Sequence, residues 1–495
     1  MKEIAWLARP LLRFASEQQW GFGGLAPELI AFVMLVTLIL KEMGAEGATE
    51  DSQKGFGLWN LAAGLAILAS LLALAGKTTA LFGGMILVDS LGIFFKAFFT
   101  LTLLAVIFLS LEFFKEEGSK TSEFYMILWT SLLGLFFLVS ANDFLLLFVS
   151  LETVALSLYI LSAYSTHQLI SIEAGLKYFI LGSLASAFTI FGIALLYVAV
   201  GSTSLPDIRL ALIHAPREPL LVLAVLFITA GLGFKVSSVP FQLWVPDVYE
   251  GAPTPVVAFL SVASKAAGFA VLLRLFFTVF NGLDRERLIL FSILAAATLV
   301  TGTLGALAQT NIKRLFGYSS IGHAGYLLIG IAAGKMAGTA ALIYYLISFG
   351  LSNLAAFFVI GLVGRHFKSD QISAYRGLAR QSPYLAAAFF LSLISLAGAP
   401  PLAGFFGKFF ILLAALQERL DWLVLIGLLG VAVSLFYYLN IIRVMYVEEP
   451  EVQGSIEISL STKWILAILM AGILIVGIWQ RPFLELARQV SRSLF

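Results

Sequence analysis

Five stretches of this chain place an ionisable side chain inside a long apolar run. Glu152 lies in SANDFLLLFVSLETVALSLYIL and Lys235 in GLGFKVSSVPFQLWVP. Lys265 lies in TPVVAFLSVASKAAGFAVLLRLFF, His323 in LFGYSSIGHAGYLLIGI and Lys408 in SLAGAPPLAGFFGKFF. A charge deep in hydrocarbon costs at least ~2.5–3.5 kcal/mol, so each of these residues needs a reason to be there. Proton handling supplies one. Burial favours a neutral amine and a nearby carboxylate favours the ammonium, so changing the spacing of a Glu–Lys pair makes the lysine take up or release a proton.

Each residue also has an ordinary explanation. Lysines near helix ends snorkel to water, but Lys265 lies ten residues past Pro255, about 15 Å along a helix and beyond either interface. Glu152, nine residues after Asp143, is roughly 14 Å inside by the same ruler. It would serve as a neutral hydrogen-bond donor between helices, were Lys235 not available as its opposite charge. Lys408 sits beside a proline-rich interruption. A lone helical histidine is usually a hydrogen-bonded core residue, whereas titration near neutrality suits His323 to relay protons between Lys265 and Lys408. Lys177, in IEAGLKYFILGS, is two turns from its helix start and reads as a snorkelling residue or a proton entrance. Asp89, Lys96 and Arg274 read as interfacial or structural charges, with Lys96 a partner for Asp89. Ser150, Ser157, Ser261, Ser264, Ser319, Ser320 and Thr301 offer hydroxyls that would hold water between these groups, although Ser and Thr also pack membrane helices in general.

The elements that carry them follow from composition. Of 495 residues, 60% are hydrophobic and 12% charged, with a mean hydropathy of +0.97; soluble domains carry about 25% charge. Spanning ~30 Å of hydrocarbon takes roughly 20 apolar helical residues. That ruler gives an all-α polytopic membrane protein with about 14 spans in one membrane domain, residues 1–495. They lie near 25–41, 57–75, 86–112, 122–139, 142–163, 172–200, 218–247, 252–280, 288–308, 312–333, 337–364, 383–417, 420–447 and 461–479. Two are long and interrupted: Pro240 and Pro246 break the seventh just after Lys235, and Pro400, Pro401 and Gly404 break the twelfth just before Lys408. If residues 122–280 and 288–448 are two copies of a five-helix unit, each break falls in the fourth helix of its copy. Paired interruptions of this kind point to a transport path. Basic residues in the internal loops favour a cytoplasmic placement of the side opposite the termini, which carries Lys41, Lys54, Lys115, Lys120, Lys313, Arg314, Arg365, Lys368, Arg376 and Arg380. The other side holds Lys77, Arg209, Arg217, Arg285, Arg287, Lys335 and Arg419, and the basic residues of both tails erode the preference.

Several function classes drop out. There is no cysteine, which excludes disulfides, iron–sulfur ligation and thiolate metal sites. Of His167, His214, His323 and His366, only His323 lies within a long apolar segment, which argues against a bis-histidine haem and against redox chemistry by this chain alone. A net charge of +2 and the lack of a basic, aromatic-rich cluster argue against nucleic acid. No nucleotide-binding loop is present. The N-terminus, with Lys2, Arg9 and Arg13 ahead of an apolar stretch that acidic residues follow, reads as a retained first span.

The run VPFQLWVPDVYEGAPTPVVAFLSVASKAAGFA, with YSSIGHAGYLL, LKYFILGS and GAPPLAGFFGKFF, resembles the antiporter-like membrane subunits of NADH–quinone oxidoreductase (respiratory complex I) over nearly the whole chain. The resemblance implies two inverted five-helix repeats, each with a broken helix. It also implies a proton route through a glutamate on the fifth helix and lysines on the seventh, eighth and twelfth, which match Glu152, Lys235, Lys265 and Lys408. The M-type sibling carries glutamate at the last position and the L-type has a long lateral C-terminal helix, so the chain is most similar to the N-type branch. The implied setting is the bacterial plasma (inner) membrane, beside other membrane subunits of complex I. This chain would hold no cofactor, with NADH, flavin, iron–sulfur clusters and quinone belonging to partner subunits. The leading expectation is therefore a translocase subunit that couples quinone reduction elsewhere to proton pumping. A subunit of a multisubunit cation/proton antiporter is the alternative. A purely structural scaffold is the third reading, against which the aligned mid-membrane charges argue.

Overall fold

A computed structural model describes residues 22–44, 50–114, 121–214, 218–450 and 456–495. Lys2, Arg9, Arg13, Lys115, Lys120 and Arg217 lie outside the described residues, as does the side chain of Lys54. The apolar segments fold as helices because only intrasegment hydrogen bonds satisfy a backbone in lipid. In chain order they are α1 (Ala26–Gly44), α2 (Glu50–Leu74), α3 (Ser90–Phe113), α4 (Thr121–Ser140), α5 (Phe144–Ser162), α6 (Leu169–Val200), α7 (Leu205–His214), α8 (Pro219–Val236) and α9 (Trp244–Gly251). Then follow α10 (Thr254–Val279), α11 (Asp284–Leu307), α12 (Ile312–Ala333), α13 (Lys335–Phe367), α14 (Pro383–Ala397), α15 (Ala403–Gln417), α16 (Asp421–Tyr446), α17 (Leu460–Ile478) and α18 (Gln480–Arg492). Among the described residues, 13 helices are long and apolar enough to cross a membrane. The remaining expected span, 383–417, is the pair α14 and α15, each too short to cross alone.

Both expected breaks are present, with boundaries that differ from the sequence reading. The first runs from Ser237, left-handed at φ 64°, to the start of α9 at Trp244. Pro246 does not break anything: it lies in the first turn of α9, where a missing N–H has no intrahelical partner to lose. The second runs from Gly398, left-handed at φ 91°, to Leu402. Gly404 is helical; a Cβ there would come within 1.9 Å of the Ser395 carbonyl oxygen, so glycine is required for the two half-helices to meet.

A hairpin and two helices were not expected from the sequence. Thr79–Leu81 (β1) and Ile86–Val88 (β2) form an antiparallel hairpin ahead of α3, where a helix start was expected. The helices α7 and α18 lie in the connection before α8 and in the C-terminal tail. The hairpin meets the α4–α5 turn through the Ile86–Ala141 bridge, and that turn meets the α6–α7 turn through the Asp143–Ser204 bridge, so these connections share one face of the bundle. Asn311 pairs with Gln371 on the opposite face. Short side chains start several spans there: the Asp143 carboxylate accepts from the N–H of Leu145 at 2.8 Å, and Asn311 from that of Arg314 at 3.1 Å.

The core sits around α10, α12 and α13, whose apolar residues are almost wholly buried. By contrast, α6 presents Leu176, Ile180, Leu184 and Phe191 outward, the surface expected of a helix that faces lipid. Two of the candidate ionisable residues, Lys265 on α10 and His323 on α12, thus lie on the most central helices.

Candidate functional site

Lys235 sits in the last turn of α8, just before the chain turns left-handed at Ser237. The free end of that helix is tied to the next half by Trp244, whose indole donates to the Phe234 carbonyl at 3.1 Å and stacks on Tyr178 with centroids 4.5 Å apart. Gly268 of α10 packs directly against this turn; a Cβ there would lie 2.8 Å from Val236. The Lys235 amino group is buried with no hydrogen-bond partner among the described residues and lines a cavity of about 10 Å³ shared with Ser264, Gly268 and Val154. That volume is about what one water molecule needs.

Lys265 follows one π-turn, Leu260–Ser264, and the helix takes a second at Leu275–Val279. Such turns interrupt the regular ladder and recur at functional positions. The Lys265 ammonium, 2% exposed, donates to the Ser320 carbonyl at 2.8 Å and to the Ser320 hydroxyl. Ser320 also meets the Tyr249 hydroxyl of α9 at 3.0 Å. One residue earlier on α12, Ser319 bonds the Tyr438 hydroxyl of α16, which lies 3.3 Å from His323 Nε2. His323 Nδ1 in turn meets the Tyr345 hydroxyl of α13 at 2.5 Å. Two hydroxyl-bearing chains thus meet at adjacent residues of α12.

Lys408, 3% exposed, reaches back across the second break. It donates to the carbonyls of Leu396 and Ala397, at 2.8 and 3.0 Å, in the last turn of α14. Its ammonium also lies 4.9 Å from the Tyr326 ring centroid. The Lys408 amino group therefore occupies the negative end of the half-helix α14, where exposed carbonyls favour a cation. Across the break, Ser395 accepts from the Gly404 N–H at 3.2 Å and from the Ser352 hydroxyl at 2.8 Å.

Lys235, Lys265, His323 and Lys408 thus all lie buried among the central helices and the two breaks. Glu152 does not contact Lys235 in this state. It is half-buried on α5 and accepts a hydrogen bond from Ser186 of α6. Lys177 belongs to a different cluster, at the face opposite the hairpin. It pairs with Glu173 at 2.7 Å and with Asp247 of α9 at 2.8 Å. Asp247 also pairs with Arg314 at 2.6 Å, and Arg314 with Glu250 at 2.9 Å. Burial alone would raise the Asp247 carboxyl, but Lys177 and Arg314 outweigh it and hold the group below its usual value.

One expected pairing is wrong. Asp89 does not meet Lys96; it takes a two-pronged contact from Arg274 at 2.9 and 3.1 Å, while Lys96 pairs with Glu28 at 2.5 Å. The sequence criterion would have found Glu28, an acid inside the expected first span. It had no means of finding Tyr249, Tyr345 and Tyr438, because tyrosines are ordinary in apolar helices. Of the flagged hydroxyls, Ser319 and Ser320 join the buried chains and Ser264 lines the cavity, whereas Ser157 bonds its own helix at Thr153. Among the described residues, no cluster of three or more His, Asp or Glu could hold a metal ion.

Residues 141–434 match the family described as NADH:quinone oxidoreductase/Mrp antiporter, transmembrane. NADH-quinone oxidoreductase subunit N of Desulforamulus reducens is 36% identical over 476 residues, covering 96% of this chain and 99% of the relative. A chain of respiratory complex I from Thermus thermophilus superposes with a TM-score of 0.78 at 33% identity, over 93% of this chain and 98% of that one. A chain of the Mrp complex from Dietzia sp. DQ12-45-1b has the same fold, with a TM-score of 0.83 at 20% identity over 95% and 97%.

Proposed function

Because this chain belongs to the NADH:quinone oxidoreductase/Mrp antiporter transmembrane family, in its subunit N branch, we propose that it is a non-redox, proton-translocating membrane subunit of a respiratory NADH–quinone oxidoreductase. It works in the bacterial plasma membrane beside the other membrane subunits of that complex. NADH, flavin, iron–sulfur clusters and quinone are held by partner chains, in keeping with a chain that has no cysteine. The antiporter alternative shares the fold, but end-to-end identity of 36% to a subunit N against 20% to the Mrp chain favours the first reading.

The observation that carries the proposal is the set of buried groups between Lys235 and Lys408: Lys265 with Ser320 and Tyr249, and Ser319 with Tyr438, His323 and Tyr345. Hydroxyl and imidazole groups both donate and accept, so each passes a proton on without itself staying charged. Glu152 acts as the movable counter-charge of Lys235: approach of the carboxylate draws a proton onto the amine, and its withdrawal releases it. The water-sized cavity at Lys235 reaches Ser264, the residue before Lys265. Lys177 stands at the entrance, on the face that the basic loops mark as cytoplasmic. The units 122–280 and 288–448 have five spans each; five is odd, so the second runs inverted with respect to the first and presents its break from the other side.

The test is proton translocation by the assembled complex in sealed vesicles. Lys265→Ala, and separately Glu152→Ala, should lower coupled turnover severely while the complex still assembles. Unchanged pumping in the assembled Lys265→Ala complex would restore the scaffold reading. Full coupled turnover in Glu152→Ala would remove the carboxylate from the route.

A further inference from the structure

The face that carries the hairpin holds a cavity of about 470 Å³ between β2, α7, the last turn of α10 and the C-terminal end of the chain. Ligand pockets run roughly 300–1,000 Å³. Its lining contains Arg209 and Arg274 and no carboxylate. Arg274 is buried, with its guanidinium neutralised by Asp89 and also bonded to the Val139 carbonyl at 2.9 Å. Arg209 is exposed on α7. The nearest acids in sequence are already engaged: Asp143 caps α5 and accepts from Thr203, and Asp207 accepts from the Ser202 hydroxyl at 2.6 Å. Arg274 thus has Asp89 as its counter-charge, and Arg209 is the remaining cation of the lining.

Its position decides what kind of anion it suits. It lies level with the ends of α6, α8 and α10, where those helices leave the hydrocarbon. Beside Arg209, α7 turns Leu210 and Ile213 outward, 57% and 52% exposed. An apolar lip next to a basic cavity at the membrane boundary fits a molecule with an anionic head and acyl chains. A guanidinium pairs with phosphate oxygens through two parallel N–H donors, while apolar side chains beside it cover acyl chains.

We infer that this cavity binds the headgroup of an anionic phospholipid, with Arg209 on the phosphate and Leu210 and Ile213 against the acyl chains. The test uses the whole complex, purified in detergent, washed, and assayed for retained lipid by mass spectrometry. The wild-type complex should retain one more phosphatidylglycerol than Arg209→Glu, and Arg285→Glu, which reverses a charge on the same face outside the cavity, should match wild type. Phosphatidylglycerol added to the delipidated complex should raise its thermal midpoint, with an apparent affinity roughly tenfold weaker in Arg209→Glu. Equal lipid retention in Arg209→Glu would overturn the inference. An equal rise with phosphatidylcholine would remove the anionic headgroup, and an equal rise with inorganic phosphate alone would remove the lipid.

Discussion

Lys235 precedes the first break and Lys408 follows the second, and the two are held differently in a way that is testable. Lys408 satisfies two buried carbonyls of α14, whereas Lys235 satisfies none. Removing a partner from a buried polar group costs about 1–3 kcal/mol. Lys408→Ala should therefore reduce both coupled turnover and the amount of assembled complex on a native gel. Lys235→Ala should reduce turnover with little effect on assembly, since the lost side chain leaves no acceptor unpaired. Equal losses of assembly in the two variants would show that the hydrogen bonds of Lys408 are not structural. At this scale the sequence exposed the charges, because an ionised residue in a run of Leu, Phe and Ile stands out. It did not expose their partners. Tyr345 and Tyr438 look like any aromatic core residues until folding brings α13 and α16 to His323. The Glu152 contact with Ser186 was equally hidden, since Ser186 lies 34 positions away on another helix.

Among the elements, the breaks matter more than the spans. Gly398 closes α14 in a left-handed turn, and a Cβ there would lie 3.0 Å from the Lys408 side chain. A residue with a side chain strains such backbone by about 1–3 kcal/mol. Gly398→Ala should thus lower the thermal midpoint of the complex and displace Lys408 from the Leu396 and Ala397 carbonyls, giving a turnover loss that approaches that of Lys408→Ala. Wild-type turnover in this variant would mean that the position of Lys408 tolerates movement. Span positions were legible because twenty apolar residues have one stable answer in lipid. Break edges were legible only in part. Pro246 sits harmlessly in a first helical turn, and Gly404 serves close packing rather than interruption. The hairpin was missed because three-residue strands carry no periodic signal, and α18 because its charged, amphipathic sequence does not look like a span.

At the scale of the whole molecule, the proposed units are clamped together at one face. Asp247 and Glu250 on α9, in the first unit, face Arg314 on α12, in the second, and Lys177 of α6 joins them. Asn311 adds a bond to Glu250 at 3.3 Å, and Lys313 pairs with Asp370 at 3.0 Å nearby. The clamp joins the half-helix beyond the first break to the helix that carries Ser319, Ser320 and His323, so it fixes Tyr249 relative to Ser320. Its pairs are part-exposed, and such pairs contribute roughly 0.2–1 kcal/mol each. Lys177 and Arg314 lower the Asp247 carboxyl against the effect of its burial. A carboxyl lowered by folding stabilises fully above its unfolded value, about pH 4, and loses that contribution as pH falls through its folded value. Asp247→Asn should therefore reduce the thermal midpoint of the complex by the same small amount at pH 6 and pH 8, with the gap to wild type closing only on acidification below about pH 4. Because the lowered Asp247 carboxyl stays ionised across this range, the variant should pump more slowly without changing the shape of the pH profile of pumping between pH 6 and 8. A changed shape in that range would place Asp247 among the groups that titrate during turnover, beside Lys177 at the entrance.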